Sequence, residues 1–208
     1  MNNNNRDIQV VFLGDTSVGK TSILERIKSG SYHEDSKSYC SEPFTKQKRY
    51  EKKNITISLK YIDTFGQEFS QYNIPVEIMR DSHIFILVFS DITTFTLLNR
   101  RWNELYKHQL IDDNREIILI GNKSDTYGKI DKREEIIKQG QIFAEEIGAY
   151  FLTCSAKYND NFDNIERYIE TEAKRVIDKE DIKKDEDKKI IILKKEEKNS
   201  KFNDKKCI

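Results

Sequence analysis

The chain lacks an excess of either charge: 36 lysines and arginines meet 36 aspartates and glutamates, so the formal net charge is zero. That balance excludes a generally basic nucleic-acid binder and an acidic solvating protein. A long apolar run is also missing. The longest, Ile84-Phe85-Ile86-Leu87-Val88-Phe89, falls far short of the about 20 residues a membrane-spanning helix needs. Residues 1–7 hold no apolar stretch of the kind a secretory signal requires, so the expected compartment is the cytoplasm. Three cysteines (Cys40, Cys154, Cys207) are too scattered for a disulfide scaffold or metal-ligand spacing, and His33, His83 and His108 are equally dispersed. Apolar residues are scarce too. They form 37% of the chain, with eight glycines besides, against a usual share of roughly 45–50%. Some segment therefore adds nothing to a core.

What is present alternates. Short apolar runs at 8–13, 55–62, 84–89, 117–120 and 150–154 are separated by longer stretches of helical period at 20–28, 93–110, 132–147 and 162–177, with a poorly patterned stretch at 70–80. Four of the runs are rich in Ile, Val, Leu and Phe on both alternating faces, which suits parallel strands covered by helices on each side. Residues 45–50 and 55–62 read as a hairpin around Glu51-Lys52-Lys53-Asn54. Such alternation predicts an α/β sheet with right-handed crossovers and a binding crevice at the carboxyl ends of its strands. Beyond residue 177 the pattern dissolves: 178–208 carries eleven lysines and nine acids, broken only by Ile190-Ile191-Ile192-Leu193. The expected division is a domain over 1–177 and a charged tail over 178–208 without regular structure, apart from first turns that extend the preceding helix.

The first apolar run ends in Gly14-Asp15-Thr16-Ser17-Val18-Gly19-Lys20-Thr21-Ser22. This is G-x-x-x-x-G-K-[ST] between a buried strand and a helix, the setting of a phosphate-binding loop. The two glycines let successive backbone N–H groups turn inward toward phosphate oxygens, and the helix N-terminus adds positive field. Lys20 supplies a point charge to the outer phosphates, and the Thr21 hydroxyl offers Mg²⁺ a hard oxygen. Asp63, at the end of the run 55–62, is placed to hold Mg²⁺ through water. Asn122-Lys123-Ser124-Asp125 follows the run 117–120, where a carboxylate accepts both the N1–H and the amino group of guanine, a pair that adenine does not offer. Cys154-Ser155-Ala156-Lys157 follows the last run.

With these motifs in this order, the chain resembles a small GTPase of the Ras superfamily over about residues 7–176. Within it the sequence is most similar to the Rab branch, through Gly14-Asp15, Trp102 and Phe143-Ala144-Glu145-Glu146, with a Ras-like or Rho-like member as the other possibility. The resemblance implies a P-loop three-layer α/β fold: a mainly parallel six-stranded sheet with one antiparallel edge strand and about five helices. It implies that GTP or GDP and Mg²⁺ bind. Asn122, Lys123 and Asp125 would grip guanine; Ala156 would donate its N–H to the base oxygen, supported by Ser155 and Lys157; and the Tyr32 ring would lie against the base. Gly66 would sense the γ-phosphate and Gln67 would orient the attacking water. Effectors, an exchange factor and a GTPase-activating protein would engage residues 38–80. An ATPase or metabolic kinase sharing the loop fits less well, because Asp125 selects guanine and no acceptor-substrate domain remains.

Two departures from the family pattern stand out. Counting from Thr21 puts Tyr39 where the family has a Mg²⁺-binding threonine, with Ser38 or Ser41 as substitutes after a small shift. Phe65 replaces the alanine of D-T-A-G-Q, where it would crowd the γ-phosphate, fix the loop outward, or pack sideways beneath that loop and change little. Slow hydrolysis is the expectation, and a pseudo-GTPase that holds nucleotide without cycling is the alternative. Near the end, Lys205-Lys206-Cys207-Ile208 lacks a C-a-a-X signal, yet Rab-like proteins are prenylated on cysteines there. From Lys188 onward eight lysines face three acids. One lipid on Cys207 plus this basic stretch implies reversible association with the cytosolic face of an intracellular membrane.

Overall fold

The computed structural model describes residues 5–33, 41–66, 75–107, 115–128 and 130–204, with backbone alone at 130–132 and 191–204. Its elements run β1 (Asn5–Leu13), α1 (Lys20–Ser29), β2 (Phe44–Tyr50), β3 (Ile55–Ile62), α2 (Val76–Asp81), β4 (Ile84–Phe89), α3 (Ile92–Lys107), β5 (Glu116–Gly121), α4 (Ile130–Glu146), β6 (Tyr150–Thr153) and α5 (Phe162–Asp204). The six strands form one sheet in the order β2-β3-β1-β4-β5-β6. All neighbours are parallel except β2, which lies antiparallel to β3 at the edge. The expected α/β class, the antiparallel edge and the five helices are all found among the described residues.

Burial follows strand position. Every residue of central β4 is buried, as a parallel strand covered on both faces must be. Edge strand β2 instead alternates half-buried and exposed side chains along nearly its whole length. On one face of the sheet Val11, Leu13, Phe85, Leu87 and Phe89 meet Phe95, Leu98 and Trp102 of α3 and Phe143 of α4. Phe95 stands edge-on to both Phe89 and Phe143, at centroid distances of 5.1 and 5.7 Å, the arrangement aromatic quadrupoles favour. Strand alternation turns Val10 and Phe12 to the opposite face, and α1 buries Ile23, Leu24 and Ile27. Lys46 and Lys48 of β2 reach Glu166 of α5 at 2.9 and 3.9 Å, and Lys48 reaches Glu170 at 3.5 Å.

Two boundaries differ from the sequence reading. Strand β1 begins at Asn5 rather than at residue 8, because its ladder to β3 continues through Asn5↔Thr56, Arg6↔Ile57 and Asp7↔Ser58, past the apolar run. Hydrogen bonding needs no apolar side chain. The larger difference concerns the stretch beyond residue 177, expected to lose regular structure: α5 continues unbroken to Asp204, so 178–204 are helical. Failure to build a core does not forbid a helix, which satisfies its backbone internally. No glycine or proline follows Gly148. Lysine and glutamate are good helix formers, and Glu180–Lys184 and Asp185–Lys188 pair one turn apart. The chain comprises two compact units, Met1–Ala173 and Lys174–Ile208, with the division inside α5.

Candidate nucleotide-binding site

The loop between β1 and α1 has the backbone its glycines allow. Gly14 and Gly19 have φ of 153° and 94°. Neither position has room for a side chain: a Cβ on Gly14 would lie 2.2 Å from the Val88 carbonyl oxygen, and one on Gly19 would lie 2.3 Å from Asn122 Nδ2. Ser17 also sits in the left-handed region, at φ 60°, while Val18 is fully buried and anchors the loop's underside. Buried Lys20 curls back over the loop and donates to the Gly14 and Asp15 carbonyls, each at 2.9 Å. Asp15 Oδ1 accepts the Thr16 N–H at 2.7 Å.

Thr21 and Asp63 meet across 42 residues: the threonine hydroxyl donates to Asp63 Oδ2 at 2.6 Å. The same oxygen accepts the Ser41 N–H at 3.0 Å. Of the two serines named as substitutes for a metal-binding threonine, Ser41 is therefore at the Thr21–Asp63 pair; Ser38 and Tyr39 lie outside the described residues. A hydroxyl and a mostly buried carboxylate in contact are hard oxygen donors, a set that fits Mg²⁺. The backbone at Gly66 lies against the phosphate loop so closely that a Cβ there would be 2.2 Å from Thr16 N. Phe65 beside it is 49% exposed, and the loop that it is expected to fix outward or pack beneath lies outside the described residues. Gln67 lies outside the described residues.

The base-side residues gather at the carboxyl ends of β5 and β6. Asn122 Nδ2 donates to the Val18 carbonyl at 2.9 Å, and Asn122 Oδ1 accepts the Ala156 N–H at 3.2 Å. Only one orientation of the amide satisfies both bonds. Burial pushes the Cys154 thiol well above its ordinary pKa, so it stays protonated and donates to the same Asn122 Oδ1 at 3.5 Å. Lys123, at φ 57°, turns its ammonium back to the Ser17 carbonyl at 2.6 Å. Asn122 and Lys123 thus hold the phosphate loop from the base side. Asp125 Oδ1 accepts the Ser155 hydroxyl at 2.6 Å, which orients the carboxylate at the wall of the cleft. A cleft of about 220 Å³ opens between Gly19, Ser22, Tyr32, Asn122, Lys123, Asp125, Thr126, Ala156 and Lys157.

The structure so brings the phosphate loop, the Thr21–Asp63 pair, Gly66, Tyr32 and both base-side loops to one end of the sheet. Cys207 lies outside the described residues. The sequence reading missed Arg26, whose guanidinium bonds the carbonyls of Ala156 and Lys157. No motif flags it, since a lone arginine late in an amphipathic helix reads as a solvated face.

A comparison with known protein families agrees with this architecture: the model described as the Ras family matches residues 9–177. The match runs from within β1 into α5 and takes in every strand from β2 to β6 and both halves of the cleft. The chain belongs to the Ras family of small GTPases.

Proposed function

We propose that this protein binds GDP and GTP together with Mg²⁺, hydrolyses GTP slowly, and acts as a switch in intracellular vesicle traffic or signalling. The observation that carries the reading is the interlock of the two half-sites. Asn122 and Lys123 bond the phosphate-loop carbonyls of Val18 and Ser17, so the base end and the phosphate end form one continuous surface. The Asp125 carboxylate, oriented by Ser155, accepts two donors from guanine and none from adenine at the same positions. Lys20 exchanges its two loop carbonyls for phosphate oxygens. Thr21, Asp63 and Ser41 are the residues that would hold the cation, which when bound neutralises charge between the β- and γ-phosphates. Gln67 orients the attacking water, and the order of 38–80 reports which nucleotide is present to effectors and regulators.

The alternative, a pseudo-GTPase holding nucleotide without efficient turnover, draws on Tyr39 and on the half-exposed ring of Phe65 next to Gly66. Single-turnover hydrolysis by purified protein, with Mg²⁺ and with EDTA, separates the two readings. A Mg²⁺-dependent rate that Gln67→Leu lowers by about 100-fold or more supports the switch. Tight nucleotide binding with no Mg²⁺-dependent turnover supports the alternative. We also propose reversible association with the cytosolic face of an intracellular membrane through prenylated Cys207 and the lysines that follow Asp187. Intact mass from the native cell without a prenyl adduct overturns that assignment.

A further inference from the structure

We infer that Arg26 sets how long a guanine nucleotide stays bound, by fixing the Ala156–Lys157 backbone and tying it to the end of α1. The inference rests on the base-binding reading above. Arg26 lies in the last turn of α1. Its Nε and Nη2 donate to the Ala156 carbonyl at 3.1 and 2.7 Å, and Nη2 also donates to the Lys157 carbonyl at 3.1 Å. The remaining nitrogen, Nη1, donates to the Gly30 carbonyl at 2.7 Å. Two residues beyond Gly30 comes Tyr32, whose ring centroid is 5.9 Å from the guanidinium carbon. Tyr32 and the 156–157 backbone are walls of the same cleft. One planar cation therefore joins both walls.

The carbonyls alone do not explain the arginine. The Gly30 and Lys157 carbonyls lie at an exposed surface where water would satisfy them as well, and only the Ala156 carbonyl is partly buried. What water cannot do is hold them at a fixed separation, and a rigid fork of donors does. The grip is two-sided. Asn122 Oδ1 takes the Ala156 N–H from inside the site while Arg26 takes the carbonyls from outside, so the peptide between them cannot swing without breaking bonds on both faces. The anchor points are 130 residues apart in sequence, which makes the contact a tertiary latch rather than a local helix cap. Arg26 is not among the residues that line the cleft, and its role is that of a positioning residue. Releasing the latch frees the base end and leaves Lys20, Thr21 and Asp63 in place.

The test uses the full chain loaded with a fluorescent GDP analogue, in Mg²⁺ and in EDTA. Arg26→Ala releases GDP about 10- to 100-fold faster than the unaltered protein in Mg²⁺, the span expected when several charge-assisted hydrogen bonds are lost together. Arg26→Lys, a point charge that cannot span three carbonyls, falls between them. The factor by which EDTA speeds release stays the same in all three proteins, because it acts at the phosphate end. A general loss of folding would instead change that factor and lower the unfolding temperature of both variants alike. Release from Arg26→Ala within about twofold of the unaltered rate overturns the inference, as does a changed EDTA factor. Asp125→Asn serves as the separate check on the base reading. If it does not trade guanosine for xanthosine diphosphate, the base assignment itself fails; if it does while Arg26→Ala releases normally, only the latch fails.

Discussion

Single residues show how two unrelated demands converge on one position. Gly66 is expected from its motif to bring an N–H to the γ-phosphate, and the structure adds a steric demand: a Cβ there would lie 2.2 Å from Thr16 N and 2.5 Å from the Asp15 carbonyl carbon. Neither neighbour is the far end of a flexible side chain. Both belong to the phosphate loop, so Gly66→Ala must move the Gly66 backbone and that loop apart. A displacement of about 1 Å at a reacting centre costs on the order of 100-fold in rate. Single-turnover hydrolysis of Gly66→Ala is expected to fall by about that factor, with GDP affinity retained, since Lys20 and the Asn122–Asp125 segment are untouched. Hydrolysis at the unaltered rate would show that the two segments do not need this contact. The glycine was legible from the motif alone; the atoms that enforce it were not, because they come from 50 residues earlier in the chain. Arg26 is the opposite case, a side chain whose three partners are all carbonyls, so no partner's identity could have drawn attention to it.

At the scale of elements, legibility followed the origin of the stabilisation. Strands defined by burial, such as β4, could be read directly from their apolar runs. Portions defined by hydrogen bonding alone, the first three residues of β1 and the helix beyond Asp178, could not, because side-chain polarity carries no signal about a satisfied backbone. Helix starts lie between these extremes. The N–H groups of Thr93 and Thr94 donate to Asp91 Oδ1, both at 2.9 Å, while Thr94 Oγ1 accepts the N–H groups of Ser90 and Asp91, both at 3.0 Å. This reciprocal cap begins α3, the helix that supplies Phe95 and Trp102 to the core. Partial burial works to raise the Asp91 pKa, but the hydrogen bonds from Thr94, Ser90 and Thr93 outweigh it and hold the carboxyl below its usual value. A depressed folded pKa means that the stabilisation is present above the ordinary carboxylate range and is lost as pH falls through the folded value. Asp91→Ala is expected to cost about 1 kcal/mol at neutral pH, measured by urea unfolding. The difference from the unaltered protein shrinks in acid, as protonation removes the charge-dependent part of the cap. An equal deficit at all pH values would mean that the charge on Asp91 contributes nothing to the cap.

Across the whole molecule, the zero net charge is a sum of unlike parts. Residues 1–177 hold 25 basic and 27 acidic groups, whereas from Lys188 onward eight lysines stand against three acids. Composition made this asymmetry visible, but not the conformation that carries it: α5 continues as helix through most of the lysine-rich stretch. No helix among the described residues is long and apolar enough to cross a membrane; the membrane contact proposed above rests on charge and an attached lipid. Lysines near an anionic surface contribute about 1 kcal/mol each, and a single lipid chain alone binds only marginally. The two together meet the requirement for stable anchoring, and each should be separable from the other. Unlipidated full-length protein is expected to bind phosphatidylserine-containing vesicles weakly and to release as salt rises, because screening shortens the reach of the surface potential. Replacing Lys188, Lys189, Lys194 and Lys195 with glutamine should abolish that binding in a sedimentation assay while leaving GDP affinity unchanged, as these residues lie outside the 9–177 match. Binding that persists in the substituted protein, or that ignores salt, would place the membrane contact somewhere other than the lysine-rich helix.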